Sequence, residues 1–287
     1  EVLSYLVAEP AVANLVVHRG AAVDPAGDVV IADVARESAN EVLRELKAMG
    51  LDKNGSIALD AVGVALSSRG SEAEKAAPGA GDDAVVWEEI EQRTGEESRL
   101  SVTFLLFLSI ATVIAGIGVL LDQPILIVGA MVVGPEFGPL AALSVGVIRR
   151  RPRVIGRSLL ALTVGFAVAI VVTVLSTLAL NAGGLVTREM LLGARPLTDF
   201  IWRPDALSWV IAFLAGIAGI LSLTTAKSGA LIGVLISVTT VPAAGNVAVA
   251  IAYGVPDEAW GSALQLGINL GAIATAGILT LAVQRWL

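Results

Sequence analysis

Hydrophobic positions are distributed very unevenly along the chain. Residues 1–98 mix short apolar runs with charged stretches, whereas residues 99–287 form a series of long apolar segments separated by short polar ones. The first of these segments, residues 100–121, has 22 positions and no charged side chain. A stretch of that length and composition is sufficient for a helix that crosses the hydrocarbon core of a bilayer.

The whole pattern predicts six membrane segments, at residues 100–121, 124–148, 154–180, 206–223, 228–253 and 261–283. The second segment is interrupted by Pro135 and Pro139 and the fifth by Pro242, so both are predicted to be broken helices. Either one could instead be a re-entrant hairpin, and two such hairpins would leave four true spans. The predicted fold class is an α-helical polytopic membrane protein with a small N-terminal α+β domain.

The break in the second segment, IVGAMVVGPEFGPL, is the feature around which we expect the membrane domain to be organised. Glu136 is the only ionisable residue well inside a predicted segment, and a charge at the bilayer centre costs roughly 2.5–3.5 kcal/mol on insertion scales. A broken helix also frees backbone groups that must be satisfied or used to hold a ligand. We therefore predict a substrate or ion site made of Gly134, Pro135, Glu136, Gly138, Pro139, Thr239, Thr240, Pro242, Asn246 and Asn269.

A packing role explains many of these residues equally well. Glycine and proline are common in membrane helices, and the small residues at 215–219 and 267–271 are more typical of close helix packing than of binding. Asn269 could bond across helices, and Glu136 could lie at a pore mouth or a subunit contact. No metal-binding or cofactor-binding pattern is present, and we predict no cofactor.

The two halves of the membrane part align with each other at an offset of 100 to 104 residues. The sequence AGI recurs at 115 and 215, Gly129 aligns with Gly233, Pro139 with Pro242, and Ser158 with Ser262. We predict a duplication, with repeat one at 99–180 and repeat two at 206–287. Three crossings per repeat would invert the second repeat relative to the first, and paired broken helices in inverted repeats are typical of transporter sites near the membrane midplane.

Short β-branched runs, a turn and a helical pattern predict a small α+β domain in residues 1–69. We expect strands at 13–18, 28–34 and 56–66, with a helix from Ser38 to Gly50, in an order that suggests a ferredoxin-like sandwich. Residues 70–98 are predicted as a linker followed by a juxtamembrane helix. That helix could lie at the membrane interface with Trp87 inward or be a solvated lead-in, and its glutamates are interpreted as a solvated face.

The net charge differs in sign between the two parts of the chain. Residues 1–98 carry 8 Lys/Arg and 19 Asp/Glu, whereas residues 99–287 carry 11 and 7. The acidic N-terminal part argues against nucleic-acid binding, which needs a basic face. The chain has no cysteine, which excludes disulfides, thiolate metal sites and cysteine catalysis.

Lysine and arginine positions predict the orientation of the membrane domain. Arginines cluster at 149–157, and six crossings would place Arg99, Lys227 and Arg285 on the same side, giving 8 basic residues against Arg188, Arg195 and Arg203. Basic loops face the cytoplasm, so we predict an inner-membrane protein with a cytoplasmic N-terminal domain. The core of that domain is small, so we also expect a homo-oligomer.

Three sequence blocks resemble a family of bacterial and archaeal membrane proteins, catalogued as domain of unknown function 389. They are IVGAMVVGPEFGPLAALSVGV, WEEIEQRTGEESRLSVTFLLF and GALIGVLISVTTVPAAGNVAVAI, and the resemblance covers about residues 84–287. The resemblance implies an apolar residue at the position of Glu136 and a second proline beside Pro242, where this chain has Ala243. It implies no catalytic or ligand-binding residues.

Two functions remain open at this point. The first is a secondary transporter or channel for a small solute or ion, with its site at the two breaks. The second is a membrane-anchored sensor or scaffold whose soluble domain binds a ligand or partner. An enzyme is disfavoured because the membrane part contains no histidine, cysteine or clustered carboxylates.

Overall fold

The computed structural model describes residues 1–60, 62, 66–77, 85–224 and 240–286, apart from the side chains of Arg93 and Glu97. These residues form two compact units. The first contains residues 1–90 together with Thr224, and the second contains residues 91–223 and 240–286.

The first unit contains one β-hairpin and several short helices. Its elements are α1 (Val2–Ala8), β1 (Val12–Val23), β2 (Ala26–Val34), a 3-10 turn (Arg36–Ser38), α2 (Ala39–Ala48), α3 (Leu51–Asn54) and α4 (Ser68–Ala76). The two strands pair antiparallel, with Val12 opposite Val34 and Val23 opposite Ala26. Buried Leu6, Val42 and Leu46 form the core of this unit.

The structure confirms the two predicted strands and the predicted helix, and both strands are longer than predicted. Gly50 follows α2 with φ of +76°, a conformation that glycine adopts without strain. The third predicted strand is wrong where it can be checked, because residues 56–60 belong to no strand. Ile57 packs against the hydrophobic core instead, so its apolar character reflects burial of one side chain rather than sheet pairing.

The segment before the membrane part is attached to α2. The Asn40 amide donates to the carbonyl of Val85 and accepts from the backbone N–H of Trp87, at 2.7 and 3.1 Å. α5 (Trp87–Glu97) begins there, and Glu88 and Glu89 form ion pairs with Lys47 and Arg36. Glu88 and Glu89, predicted to lie on a solvated face, are 27% and 37% exposed and also form these ion pairs.

The second unit is entirely helical in its regular elements. They are α6 (Val102–Leu120), α7 (Pro124–Val133), α8 (Phe137–Ile148), α9 (Pro152–Ala182), α10 (Arg188–Leu192), a 3-10 turn (Asp199–Trp202), α11 (Ala206–Thr224), α12 (Thr240–Ala252) and α13 (Pro256–Trp286). The four long apolar helices α6, α9, α11 and α13 indicate a multi-pass membrane protein.

The number of candidate spans is four, or five if α7 and α8 together form one span, within the residues that the structure describes. The predicted count of six is thus not reached. α7 and α8 are bent by 53° at their break, a geometry that fits either a broken span or a re-entrant loop. Of the fifth predicted segment, only the part from Thr240 onward is described.

One end of the helical unit is rich in arginine. Arg99, just before α6, lines a cleft together with Arg157 of α9. Arg285, near the end of α13, donates to the carbonyl of Ile148 at the end of α8, at 3.3 Å. This arginine-rich end therefore gathers Arg99, Arg149, Arg150, Arg151, Arg153, Arg157 and Arg285. Lys227 lies outside the described residues.

The opposite end holds the other predicted group of arginines. Asp122 follows α6 and accepts hydrogen bonds from the backbone N–H of Leu197 and from Thr198 Oγ1, at 3.2 and 2.9 Å. Arg188 donates to the carbonyl of Tyr253, between α12 and α13, at 3.1 Å. We call this the Arg195 end, because Arg195 lies in the same connection as Leu197. α6, with 19 residues and a length of about 28 Å, connects the two ends.

α12 lies in the middle of the helical unit. Its residues from Thr240 to Ala250 are all buried, and it packs against α6, α7, α9 and α13. A Cβ atom at Gly245 would lie 2.8 Å from the backbone nitrogen of Gly116 in α6. Helix backbones approach this closely only where side chains are missing. The central position of α12 therefore depends on glycine at its crossing with α6.

The two predicted small-residue packing positions behave differently. Gly216 of α11 packs as expected, because an added Cβ would lie 2.8 Å from the carbonyl oxygen of Ile273 in α13. Gly267 and Gly271 have no described atom within 4 Å of an added Cβ. Within the described chain, Gly267 and Gly271 therefore lie on a surface of α13 that contacts no other helix.

The helix positions recur along the chain. α6 and α11 have 19 residues each and begin at 102 and 206, and α9 and α13 have 31 residues each and begin at 152 and 256. The offset is 104 in both cases. The turn before α9 also recurs before α13, since Arg150 and Gly254 both have positive φ, at 54° and 68°. The AGI sequences at 115 and 215 are 100 residues apart, so they do not align at the offset of 104.

We expect Gly245→Ala to destabilise the helical unit by about 1–3 kcal/mol, the usual cost of overpacking a close contact. Thermal unfolding of the purified protein in detergent measures the effect. Gly129→Ala in α7 is the matched control, because no described atom lies within 4 Å of an added Cβ there. Equal unfolding temperatures for the two variants would contradict the tight crossing.

Candidate functional site

The break between α7 and α8 follows directly from its two prolines. Pro135 disfavours helical geometry in the residue before it, and Gly134 is accordingly extended, with φ of −64° and ψ of 126°. α7 therefore ends at Val133. Pro139 is the third residue of α8, where a backbone N–H would have no partner within the helix anyway.

The predicted break at Pro242 is not seen, because Pro242 lies within a helix of the described residues. α12 begins at Thr240 and runs through Pro242, which is the third residue of the helix. Proline is tolerated there for the same reason as Pro139 in α8. Thr239, also predicted as a site residue, lies outside the described residues.

Glu136 and Thr240 meet inside the helical unit. The Thr240 hydroxyl donates to Glu136 Oε1 at 2.7 Å, and the two residues are 1% and 0% exposed. Glu136 is the N-cap residue of α8, and Thr240 is the first described residue of α12. Helix N-termini carry partial positive charge, which favours a negative group at this point.

The two residues are also related by the offset of the long helices, to within one position. The offset of 104 that relates the long helices takes Glu136 to Thr240, whereas the two prolines, at 139 and 242, give an offset of 103. The hydrogen bond therefore joins two positions that the predicted repeat would align.

A second polar cluster surrounds Asn246 on α12. Arg195 Nη2 lies 2.5 Å from Glu258 Oε1, and the two side chains are 5% and 6% exposed. The Asn246 amide nitrogen donates to Glu258 Oε1 at 3.0 Å and to Ser262 Oγ at 2.7 Å. Its amide oxygen lies 3.5 Å from Arg195 Nη1. A buried charge pair needs this kind of additional hydrogen bonding to be tolerated.

Four buried polar residues form a stripe along α13. Their positions, 258, 262, 265 and 269, follow helical spacing on one face. Gln265 donates to the amide oxygen of Asn269 at 3.4 Å. α12 and α13 are antiparallel neighbours that meet at Asn246 and Ser262, so six or seven residues farther along, Asn269 lies at about the level of Thr240. The stripe thus extends from the Arg195 end toward the depth of Glu136.

The predicted site residues fall into two groups. Glu136, Gly138, Pro139, Thr240 and Pro242 are buried around the start of α8 and α12, with Gly134 and Pro135 half-buried in the break. Asn246 lies farther along α12, toward the Arg195 end, and Asn269 lies on the polar stripe of α13.

Sequence reasoning missed Arg195, Glu258 and Ser262. A signal for two of them was present: Pro256 marks the first turn of a helix, and polar residues then recur at three and four positions. Arg195 carried no such signal, because it lies in an irregular connection.

Two clefts of the helical unit lie away from Glu136. One, of about 670 Å³, is at the α12–α13 turn and is lined by Val247, Ala250, Ile251, Gly254, Val255, Pro256, Asp257, Ala259, Trp260 and Ala263. The other, of about 300 Å³, is at the arginine-rich end. Among the described residues, no three histidine, aspartate or glutamate side chains come together as a metal site would need.

We expect Arg195→Met to destabilise the protein by about 3–5 kcal/mol, because it leaves the Glu258 carboxylate buried without its partner. The double variant with Glu258→Gln should be less destabilised than the sum of the single variants, since no unpaired charge remains. Thermal unfolding of the two single variants and the double variant gives the coupling free energy between Arg195 and Glu258.

Arg203→Met is the control for this cycle. Arg203 pairs with Asp199 at 3.1 Å, but the side chains are 63% and 37% exposed, so the expected cost is only about 0–1 kcal/mol. Additive effects at Arg195 and Glu258 would show that the two side chains do not interact in the folded protein.

Comparison with known proteins places the chain among uncharacterised relatives. It is 26% identical over 207 residues to an uncharacterized protein of the archaeon Methanocaldococcus jannaschii, a match that covers 70% of this chain and 62% of that protein. The chain thus spans less than two thirds of that relative's length. No solved structure gives a significant match.

One family matches half of the chain, at residues 131–275, and is described as a domain of unknown function, DUF389. The matched residues begin in α7, include the Gly134–Glu136 break and all of α8, α9 and α12, and end within α13. The match therefore contains Glu136, Thr240 and the whole Arg195 cluster, and the chain belongs to the DUF389 family.

Proposed function

We propose that the protein is a secondary transporter or channel for a small solute or ion, with its site where α8 and α12 begin. The observation that carries this proposal is the buried hydrogen bond from Thr240 to Glu136. It places a carboxylate at the meeting point of two short helices, inside a unit of long apolar helices. A carboxylate in such surroundings is expensive and is commonly retained for ion or proton movement.

The direction of the chain supports a broken span for α7 and α8. α7 begins at Pro124, just after Asp122 at the Arg195 end, and α8 ends at Ile148 at the arginine-rich end. A re-entrant loop would begin and end on the same side. α12 reaches from the level of Glu136 to Tyr253 at the Arg195 end, so it accounts for one half of the fifth predicted segment.

Corresponding helices run in opposite directions, which supports an inverted repeat. α8 leads from Glu136 to the arginine-rich end, whereas α12 leads from Thr240 to the Arg195 end. α9 begins at the arginine-rich end and α13 finishes there, at Arg285. Two half-helices that start near the middle and point outward on opposite sides are the arrangement used for midplane sites in transporters.

The arrangement described here is closed around the site. Glu136 is 1% exposed, and neither cleft contains Glu136 or Thr240. Transport therefore requires a second arrangement in which α8 and α12 separate and open the site to water. The polar stripe on α13 supplies hydrogen-bonding groups along the route from Glu136 toward the Arg195 end.

The orientation proposed for the protein follows its arginines. The arginine-rich end faces the cytoplasm of an inner membrane, and the chain before Arg99 leaves on that side. The N-terminal domain is then cytoplasmic and is available to regulate transport or to assemble a homo-oligomer.

Cysteine accessibility tests for the open arrangement, and the chain has no cysteine of its own to interfere. We expect Thr240→Cys to react with a membrane-impermeant thiol reagent from one side of the membrane, because transport must expose this position. Ala115→Cys, buried in the α6–α12 crossing, should stay unreactive. Labelling is measured in sealed vesicles by mass shift. A Thr240→Cys variant as inert as Ala115→Cys would instead favour the sensor or scaffold.

Ion flux tests the carboxylate itself. Reconstituted in liposomes under a potassium-diffusion potential, the wild type should carry H⁺ or Na⁺, read with a trapped pH dye or a sodium dye. We expect Glu136→Gln and Thr240→Val to lower the rate about tenfold, the effect of losing a hydrogen bond to a charged group worth ~1.5 kcal/mol.

Two variants control the flux experiment. Thr240→Ser keeps the hydroxyl and should retain most of the flux, whereas Glu189→Gln removes an exposed carboxylate of α10 and should change nothing. Equal flux in wild type and Glu136→Gln would remove Glu136 from the mechanism.

A further inference from the structure

A cleft of about 300 Å³ opens on the surface of the helical unit at the arginine-rich end. It is lined by Arg99 and Leu100, which precede α6, and by Arg157 and Leu160 on the second and third turns of α9. The cleft therefore combines two cationic side chains with two apolar ones. The site proposed above uses none of these four residues.

Ion pairing differs among the arginines of this end in the described part of the chain. Arg149 forms an ion pair with Glu91, and Arg151 lies 3.6 Å from the other carboxylate oxygen of Glu91. Within the part of the chain that the structure describes, neither Arg99 nor Arg157 pairs with an acidic group. Two guanidinium groups in one cleft repel each other unless an anion lies between them.

The apolar side chains of the cleft indicate where that anion comes from. Leu100 and Leu160 are 38% and 53% exposed, and they border the apolar surfaces of α6 and α9. Both helices are long and apolar enough to span a membrane, so the cleft lies at the boundary between headgroups and acyl chains. Arginine at this depth extends its charged group toward the headgroups while its stem covers apolar surface.

We propose that this cleft is a binding site for a phospholipid with a net negative headgroup. The guanidinium groups of Arg99 and Arg157 hold the phosphate, for which arginine has the matching donor geometry. Leu100 and Leu160 contact the first methylene groups of the acyl chains. Basic pockets between membrane helices on the cytoplasmic side suit such lipids, because that surface is the negative one.

A zwitterionic lipid fits the cleft less well. Phosphatidylcholine carries the same phosphate, but its choline cation would lie beside two uncompensated guanidinium groups. A lipid such as phosphatidylglycerol has no such cation. The site should therefore distinguish the two lipids, whose phosphate and acyl parts are the same.

Native mass spectrometry of the full chain in neutral detergent measures the binding. We expect phosphatidylglycerol to bind at least about fivefold more tightly than phosphatidylcholine, and Arg99→Gln or Arg157→Gln to weaken it about fivefold each. That factor corresponds to the ~1 kcal/mol contributed by one basic residue near an anionic surface. Both arginines are exposed, and thermal unfolding without added lipid checks that the variants remain folded.

Arg153→Gln is the matched control, because it removes the same charge from the same end but does not line the cleft. It should leave phosphatidylglycerol binding within about twofold of the wild type, as expected for a surface charge outside the contact. A loss as large as that of Arg157→Gln would overturn the site in favour of a diffuse basic surface. Inorganic phosphate that competes as well as the lipid would also overturn it.

Discussion

Backbone hydrogen bonding in an apolar environment is the constraint on which the helical unit depends. A helix inside the unit can be interrupted only if the freed groups and any charge beside them find partners in the protein. Pro135 enforces an interruption between α7 and α8, and Glu136 adds a carboxylate to it. α12 meets this requirement by burying nearly its whole length against its neighbours and by placing the Thr240 hydroxyl on the carboxylate. The glycine crossing with α6 allows α12 to reach that position.

The helix positions that recur at an offset of 104 relate two parts of the helical unit, and they also show where these parts differ. α8 has Pro139 near its start, the described part of α12 has Pro242 near its start, and Glu136 and Thr240 meet between them. One half contributes a carboxylate and the other a hydroxyl, so the contact itself is asymmetric. The Arg195 cluster adds a second asymmetry, because only the half with α13 carries the polar stripe at 258, 262, 265 and 269. In the proposed transporter, the two directions out of the site are therefore chemically different, and opening toward each side can be coupled to a different event.

Much of the fold follows from the sequence because apolar segment length and proline position are local properties. Five predicted segments match α6, the α7–α8 pair, α9, α11 and α13 within a few residues, and the Gly134–Glu136 break lies where two prolines require it. The third strand failed because a single buried side chain, Ile57, gives the same apolar signal as a strand. The proximity of Thr240 to Glu136 was suggested only by the repeat. The Arg195–Glu258 pair could not be predicted, because it joins an irregular connection to a helix 63 residues away, and no local pattern specifies such a contact.

The equal lengths of α9 and α13 have a consequence for the bilayer. Each has 31 residues and is about 46 Å long, whereas α6 and α11, with 19 residues, match a hydrocarbon core of about 30 Å. The first turns of the two long helices carry exposed charges, Arg153 in α9 and Asp257 in α13. Because the two long helices begin at opposite ends, one charged overhang extends into each headgroup layer. The protein is thus matched to membrane thickness through its short helices and anchored in both leaflets through its long ones, so that a thinner or thicker bilayer acts on the two halves alike.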